Sequence, residues 1–382
     1  MLHLLRPHPG WLALLAALVL SVVGVLAIDV ATPAGSVLMT KQAIFLGVAI
    51  VAMLFSALPH HRVIGMIAYP LMIAALVLLV VVILPLPRTL IPVRGGATRW
   101  IDLGPIQLQP SELAKIVFVL ALARYLRFRE NYRSFKGLLL PLLITFVPML
   151  LILKEPDLGT AMIFLPVLFA MLLAAGAKIK HLLIIILLGL SLAPAMYPLL
   201  KDYQKDRIRA VVYQLRGETK HRQGIGYQGA VAMTLVGSGQ AVGHDPAHAR
   251  DLVRYNRLPE RHNDMIFAVI CTRWGLIGGL TVLGGYLLFI ISGLMAAAAN
   301  KDPFARLVAV GVSAIVFTQM AVNIGMTVGM LPITGLSLPF ISYGGSSLVA
   351  NFLMVGLVMN VAARRPLIMA RPSFEYGPAA AI

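Results

Sequence analysis

Charge is what this sequence has least of. Of its 382 residues, 12% are Asp, Glu, Lys or Arg, about half the share of an ordinary soluble domain. Acidic residues are scarcer still, at 15 against 32 basic ones, for a formal net charge of +17. Cysteine is nearly missing. Cys271 stands alone, which excludes an intrachain disulfide and reads as a small packing residue. No small-residue cleavage site follows the apolar run from Trp11 to Ile28, so that run reads as a retained first membrane helix. No aromatic-rich basic platform is present, so no nucleic-acid partner is expected. Basic loops beside anionic lipid headgroups account for the positive charge.

Hydrophobic residues are abundant, at 59% of the chain with a mean hydropathy of +0.88. Runs of roughly 18 or more apolar residues recur from end to end, long enough to cross a bilayer as helices. The stretch from Leu158 to Gly176 holds no charge at all. The expected fold class is an all-α polytopic integral membrane protein. About ten spans are expected, near 11–28, 43–58, 63–84, 110–126, 137–153, 158–176, 181–200, 264–295, 305–327 and 340–363. No internal repeat is evident, which weakens an inverted-repeat transporter reading.

Loop charge orients the spans. Arg124, Arg127, Arg129, Arg133 and Lys136 crowd one loop, and Arg62, Lys178, Lys180, Lys301, Arg306, Arg364, Arg365 and Arg371 share its side. The opposite short loops carry Lys41, Arg88, Arg94, Arg99 and Lys154. The richer side is cytoplasmic by the positive-inside rule, so both termini are expected there. That leaves one large extracytoplasmic loop, roughly 201–262, between the seventh and eighth spans. Two further outside segments follow: 86–109, made irregular by Pro and Gly, and the uncharged 328–339. The chain is expected to form one membrane domain over 1–382, with its chemistry on the outer face.

Ionisable residues at membrane depth need a reason to be there. Glu112 and Lys115, three apart at the start of the fourth span, share a helix face and read as an ion pair with structural or functional value. Glu155 and Asp157 stand between the fifth and sixth spans. Asp157 suits an N-cap, and the two carboxylates could also hold a cation. Asp264 lies where the large loop enters the eighth span, as a cap or as a general base. Arg273, nine residues on, is expected to face a cavity and to pair with an acid or a phosphate. Leu338 to Ser347, with Ser342 and Ser346, could bring backbone amides and hydroxyls against an anion. Gly275–Gly279 and Gly325–Gly329 read as helix-contact spacings. His244 and His248 read as a loop pair, since no third ligand is near for a metal.

Five blocks together resemble the SEDS family of membrane glycosyltransferases, which includes RodA and FtsW. They are Gly96–Ile101, Gln109–Lys115, Glu155–Ala161, Pro259–Asp264 and Pro339–Ser346, in the family's order and over most of the chain. The Pro259–His262 block is closer to RodA. The resemblance implies ten helices in the bacterial cytoplasmic (inner) membrane. It implies lipid II as substrate, with its disaccharide-pentapeptide passed to the 4-hydroxyl of a growing glycan and undecaprenyl pyrophosphate released. A class B penicillin-binding transpeptidase and other elongation-complex membrane proteins are the implied partners. By position Asp264 matches the family's essential acid, Glu112, Lys115 and Asp157 its polar cavity, and Arg99 and Trp100 its first outside loop. Two departures stand near Asp264. Cys271-Thr272-Arg273 replaces the usual acidic residues, and Asn263 stands where threonine is common.

In the resulting scheme Asp264 deprotonates the acceptor, which displaces the pyrophosphate in one inverting step. Lys115, Arg99 or Arg273 would stabilise the leaving group. A divalent cation could share that role, but no metal signature is present and no cofactor is certain. A flippase moving the same lipid, or a non-catalytic scaffold for the transpeptidase, would use the same spans and loops.

Overall fold

The computed structural model describes residues 6–33, 35–84, 87, 89–94, 97–102, 104, 107–128, 134–199, 202–215 and 226–364. Gly96, part of one motif, and several basic loop residues (Arg88, Arg129, Arg133, Arg365 and Arg371) lie outside them. Thirteen α-helices follow in order among the described residues. They are α1 (Gly10–Ala31), α2 (Val37–Ala57), α3 (His61–Ile83), α4 (Pro110–Phe128), α5 (Leu139–Lys154), α6 (Leu158–Ala175) and α7 (Ile179–Met196). Then come α8 (Asp202–Leu215), α9 (Tyr227–Ser238), α10 (Pro246–Tyr255), α11 (Ile266–Ala299), α12 (Pro303–Thr327) and α13 (Gly345–Ala363).

Among the described residues, eight helices are long and apolar enough to cross a membrane on length and composition: α1, α2, α3, α5 with the turn before it, α6, α11, α12 and α13. The fourth and seventh expected spans fall on α4 and α7. α4 carries Glu112, Lys115, Arg124 and Arg127 within its 19 residues. The apolar stretch of α7 covers only Ile179–Leu192. The described part of the large loop is mostly helical, as α8, α9 and α10. In the 86–109 segment two minimal antiparallel ladders pair Val93 with Thr98 and Ile101 with Leu108.

Helix association in lipid gains little from the hydrophobic effect and relies on close packing and internal hydrogen bonds. The chain uses both. α13 packs along α2, where a Cβ on Gly356 would collide with Ser56 Oγ and the Met53 carbonyl. Asn360 of α13 donates to the Ala57 carbonyl at 2.9 Å, satisfying the end of α2. α7 differs: among its described side chains only Leu182 is buried.

α11 is broken. Its 34 residues include Gly275 at φ 61°, ψ −154°, a non-helical conformation that favours glycine. Ser313 of α12 stands against Gly293, and ten residues farther along α12, about 15 Å, Asn323 donates to the Asp264 carbonyl at 2.8 Å. A straight α11 would carry Asp264 about 43 Å from Gly293. The bend at Gly275 removes that mismatch and returns 266–274 to the side of α12, fully buried from Ile266 to Thr272.

A break in a membrane helix exposes backbone groups that must be satisfied. Here the turn after α9 supplies the partners. Leu276 N donates to the Gln240 carbonyl at 2.8 Å, Ile277 N to that of Ala241 at 3.2 Å, and His244 N to that of Thr272 at 3.2 Å. The glycine spacings are therefore not helix-contact motifs. Gly275 makes the break and lets the Ala241–Gly243 backbone approach. Gly325 accepts from Met330 N and Leu331 N at the end of α12, with Gly329 at φ 81° just beyond it.

Candidate active site

The site is built from helix starts and the loops between them. Asp157 caps α6: Thr160 N donates to its Oδ1 at 3.1 Å and Thr160 Oγ1 to its Oδ2 at 2.9 Å. Glu155, 1% exposed, has two buried side-chain oxygens without a hydrogen-bond partner. Arg99 reaches this corner from the first outside segment but donates to the backbone carbonyls of Glu155, at 3.2 Å, and Pro156. Burial, reinforced by the Asp157 charge and opposed by Arg99, pushes the Glu155 carboxyl up to about 8. At neutral pH that carboxyl is largely protonated.

The same contacts run on around a ring. A Cβ on Gly159 would stand 3.0 Å from the Thr334 carbonyl oxygen, and one on Gly335 would stand 3.8 Å from Asp264 Oδ2. The uncharged 328–339 segment thus lies between the start of α6 and Asp264. Asn323 fixes its far end, donating at once to the Asp264 and Leu336 carbonyls at 2.8 and 2.7 Å. Ser342 Oγ donates to the Asn263 carbonyl at 2.6 Å and accepts from Leu338 N at 2.8 Å. Ser346 Oγ accepts from Gln109 N at 3.0 Å, joining α13 to the start of α4. Gln109 follows directly on Gln107–Leu108, the strand paired with Ile101–Asp102, and Arg99 and Trp100 precede that pair.

Asp264 is 6% exposed, and its Oδ1 is buried without a partner. It is not the cap of α11. Met265 holds that position with no side-chain cap hydrogen bond. Burial, with the Glu260 charge second, pushes its carboxyl up to about 7. On α4, Glu112 Oε1 and Lys115 Nζ form an ion pair at 2.9 Å, with side-chain exposures of 4% and 1%. Glu112 Oε2 and Ser111 Oγ have no partner.

Arg273 does not join this group. It donates to the His244 carbonyl at 2.8 Å and lies over the Trp274 ring, anchoring the turn that stitches the helix break. Three neutral residues outside the sequence motifs belong to the site or support it. Asn323 is one. Gln42 of α2 donates to the Ser342 carbonyl and accepts from Gly344 N, both at 3.2 Å. Gln319, one turn before Asn323, is fully buried with both amide atoms unpartnered. A search for amides as well as charges inside apolar helices would have marked all three. Among the described residues, no three of His, Cys, Asp and Glu converge as a metal site.

Fold and site define a multi-pass helical membrane protein with a buried polar site formed where loops meet helix ends. The FtsW/RodA/SpoVE family of cell cycle proteins matches residues 9–366, and the chain belongs to that family. It is 36% identical over 275 residues to the peptidoglycan glycosyltransferase MrdB of Escherichia coli, covering 72% of this chain and 73% of that one. A solved chain from a study of how a peptidoglycan synthase complex coordinates polymerization and crosslinking superposes with a TM-score of 0.79. It shares 31% identity, over 92% of this chain and 96% of that one. The rod shape determining protein RodA of Thermus thermophilus superposes at 0.67 with 29% identity, over 92% and 95%.

Proposed function

We propose that this chain is a peptidoglycan glycosyltransferase that polymerises glycan strands from lipid II, transferring the disaccharide-pentapeptide to the 4-hydroxyl of an acceptor sugar and releasing undecaprenyl pyrophosphate. It acts as one membrane domain, with the Asp264 face outward and a class B penicillin-binding transpeptidase and other elongation-complex proteins beside it. The observation that carries the reading is Asp264: a buried carboxylate, aimed by a broken helix, with one oxygen left without a partner. Its Oδ1 accepts the acceptor hydroxyl proton while the freed oxygen attacks the anomeric carbon. The bond to the pyrophosphate breaks, and its electrons leave with the phosphate oxygen. A base near neutral pKa suits that task. In this reading Lys115 and Arg99 meet the developing negative charge, and the ion pair with Glu112 supports the assignment of Lys115. Trp100, Asp157, Glu155, Ser342 and Ser346 shape the pocket that receives the substrate.

The test is glycan formation from labelled lipid II by purified wild-type and Asp264→Asn protein. Asparagine keeps the shape and cannot take the proton, so the rate falls roughly 10²–10⁴-fold with lipid II binding retained. The wild-type rate rises with pH and levels off above about 7, because the deprotonated form is the active one. A stable variant with near wild-type polymerisation overturns the assignment. Translocation of lipid II without polymer favours a flippase.

A further inference from the structure

Asp264 is held near the end of α12 by Asn323, while Asp302 caps the start of α12, where basic side chains collect. Asp302 is the single carboxylate there among the described residues. It sits where the start of α3, the end of α4 and the start of α12 meet. His61 Nε2 and Arg127 Nη2 approach the same Asp302 oxygen, at 3.2 and 3.3 Å. Arg124, three residues before Arg127 and so on the same side of α4, lies 5.3 Å from the centre of the Tyr69 ring and donates to the Gly65 carbonyl. A Cβ on Gly65 would stand 3.6 Å from the Phe304 ring and 3.8 Å from Arg124 Nη1, so three helices close into one corner. Arg62, Lys301 and Arg306 rim it, all exposed.

One carboxylate, already shared by Arg127 and His61, does not balance this group. The starts of α3 and α12 add the positive ends of two helix dipoles, against the one negative end of α4. Next to the corner the surface turns apolar. Met66 is 68% and Phe128 67% exposed, and Ile67, next to Met66 on α3, is exposed as well. The Arg127 guanidinium lies 5.1 Å from the Phe128 ring centre, at the boundary between charge and hydrocarbon.

We propose that this corner binds the headgroup of an anionic glycerophospholipid. The lipid phosphate meets Arg62, Arg124 and Arg127, and the acyl chains run along Met66, Ile67 and Phe128. Free phosphate would gain the charge but leave the apolar surface without a partner. Basic pockets between membrane helices recognise anionic headgroups in this way, and each arginine near the surface changes affinity about fivefold.

Native mass spectrometry of the full chain, titrated with phosphatidylglycerol or phosphatidylcholine, tests it. Wild-type protein retains phosphatidylglycerol in preference. Arg62→Gln with Arg127→Gln binds it roughly 30-fold more weakly, and phosphatidylcholine binding stays as it was. Arg124 is left in place because it ties α4 to α3. If the double variant melts early in neutral detergent, Arg62→Gln alone, at the exposed start of α3, carries the test with about a fivefold loss. Equal phosphatidylglycerol retention by wild type and variant overturns the proposal. So does equal retention of both lipids by the wild type, or full displacement by millimolar inorganic phosphate.

Discussion

α7 and α12 are both apolar helices, yet they live in different surroundings. α12 is buried along most of its length, with Gly311 against Val119 and Met171, and Asn323 bridging two backbone carbonyls. α7 presents Leu183, Ile184, Leu187, Leu188, Leu190 and Leu192 to the outside, and among its described side chains only Leu182 is buried. Hydropathy does not separate them, because lipid and protein interior are equally apolar. What separates them is small residues and amides. α12 carries Gly311 and Ser313, which stand close against α4, α6 and α11, and Asn323, whose hydrogen bonds reach the Asp264 and Leu336 carbonyls; such contacts hold helices together in lipid. The apolar stretch of α7 has Gly189 and Ser191, but a Cβ on Gly189 would meet nothing and Ser191 bonds only its own helix.

The sharpest way to break the comparison is at the bend that brings Asp264 to α12. Gly275→Val places a β-branched side chain at φ 61°, with its Cβ about 2.5 Å from the Ala241 backbone. Strain and overpacking together are expected to cost about 4 kcal/mol or more, read as loss of folded protein in detergent melting. Gly279→Ala is the control. Its Cβ would meet only Cys271 Sγ and Phe267, at 3.4 and 3.5 Å, and it is expected to melt near wild type. Equal damage from both would restore the helix-contact reading of this pair.

Next in size is the ion pair on α4. Lys115→Met strands the Glu112 carboxylate in the protein interior, where one of its oxygens is already unpartnered, at an expected cost of about 3–5 kcal/mol. Glu112→Gln with Lys115→Met removes both charges and is expected to recover more than half of that stability while glycan formation stays low. Additive losses in a double-mutant cycle would show that the two residues are not coupled.

These two sites also mark what could be read from the sequence. Glu112 and Lys115 were legible because charge in an apolar run is conspicuous and a spacing of three fixes a shared face. The spans were legible from hydropathy, with ends off by a few residues, as at 264–295 against Ile266–Ala299. The break at Gly275 was not legible. A glycine in G-x-x-x-G looks the same whether it packs on another helix or admits a turn. That turn, Gly239–His244, comes from a loop more than thirty residues earlier along the chain, beyond the reach of any local pattern. Arg273 was misplaced for the same reason, since its partner is a carbonyl of that turn. Asn323 and Gln42 act on backbone carbonyls and amides rather than on charges, so no charge in an apolar run marks them.

The smallest effect is expected on α7. Leu187 is 63% exposed and faces surroundings that lipid chains fill in the membrane. Leu187→Ala leaves no protein cavity behind, and its effect on stability is expected within about 0.5 kcal/mol. Phe352→Ala on α13 is the matched contrast. That ring is fully buried and stands edge-on to Phe340, with centroids 5.8 Å apart, so its removal opens a cavity costing about 3–5 kcal/mol. Measuring both in the same lipid discs isolates packing from hydropathy, because each change deletes a large apolar side chain from a membrane helix. A loss of more than 2 kcal/mol at Leu187 would mean that α7 packs against protein in the membrane. The contrast between the two helices would then describe the isolated chain alone.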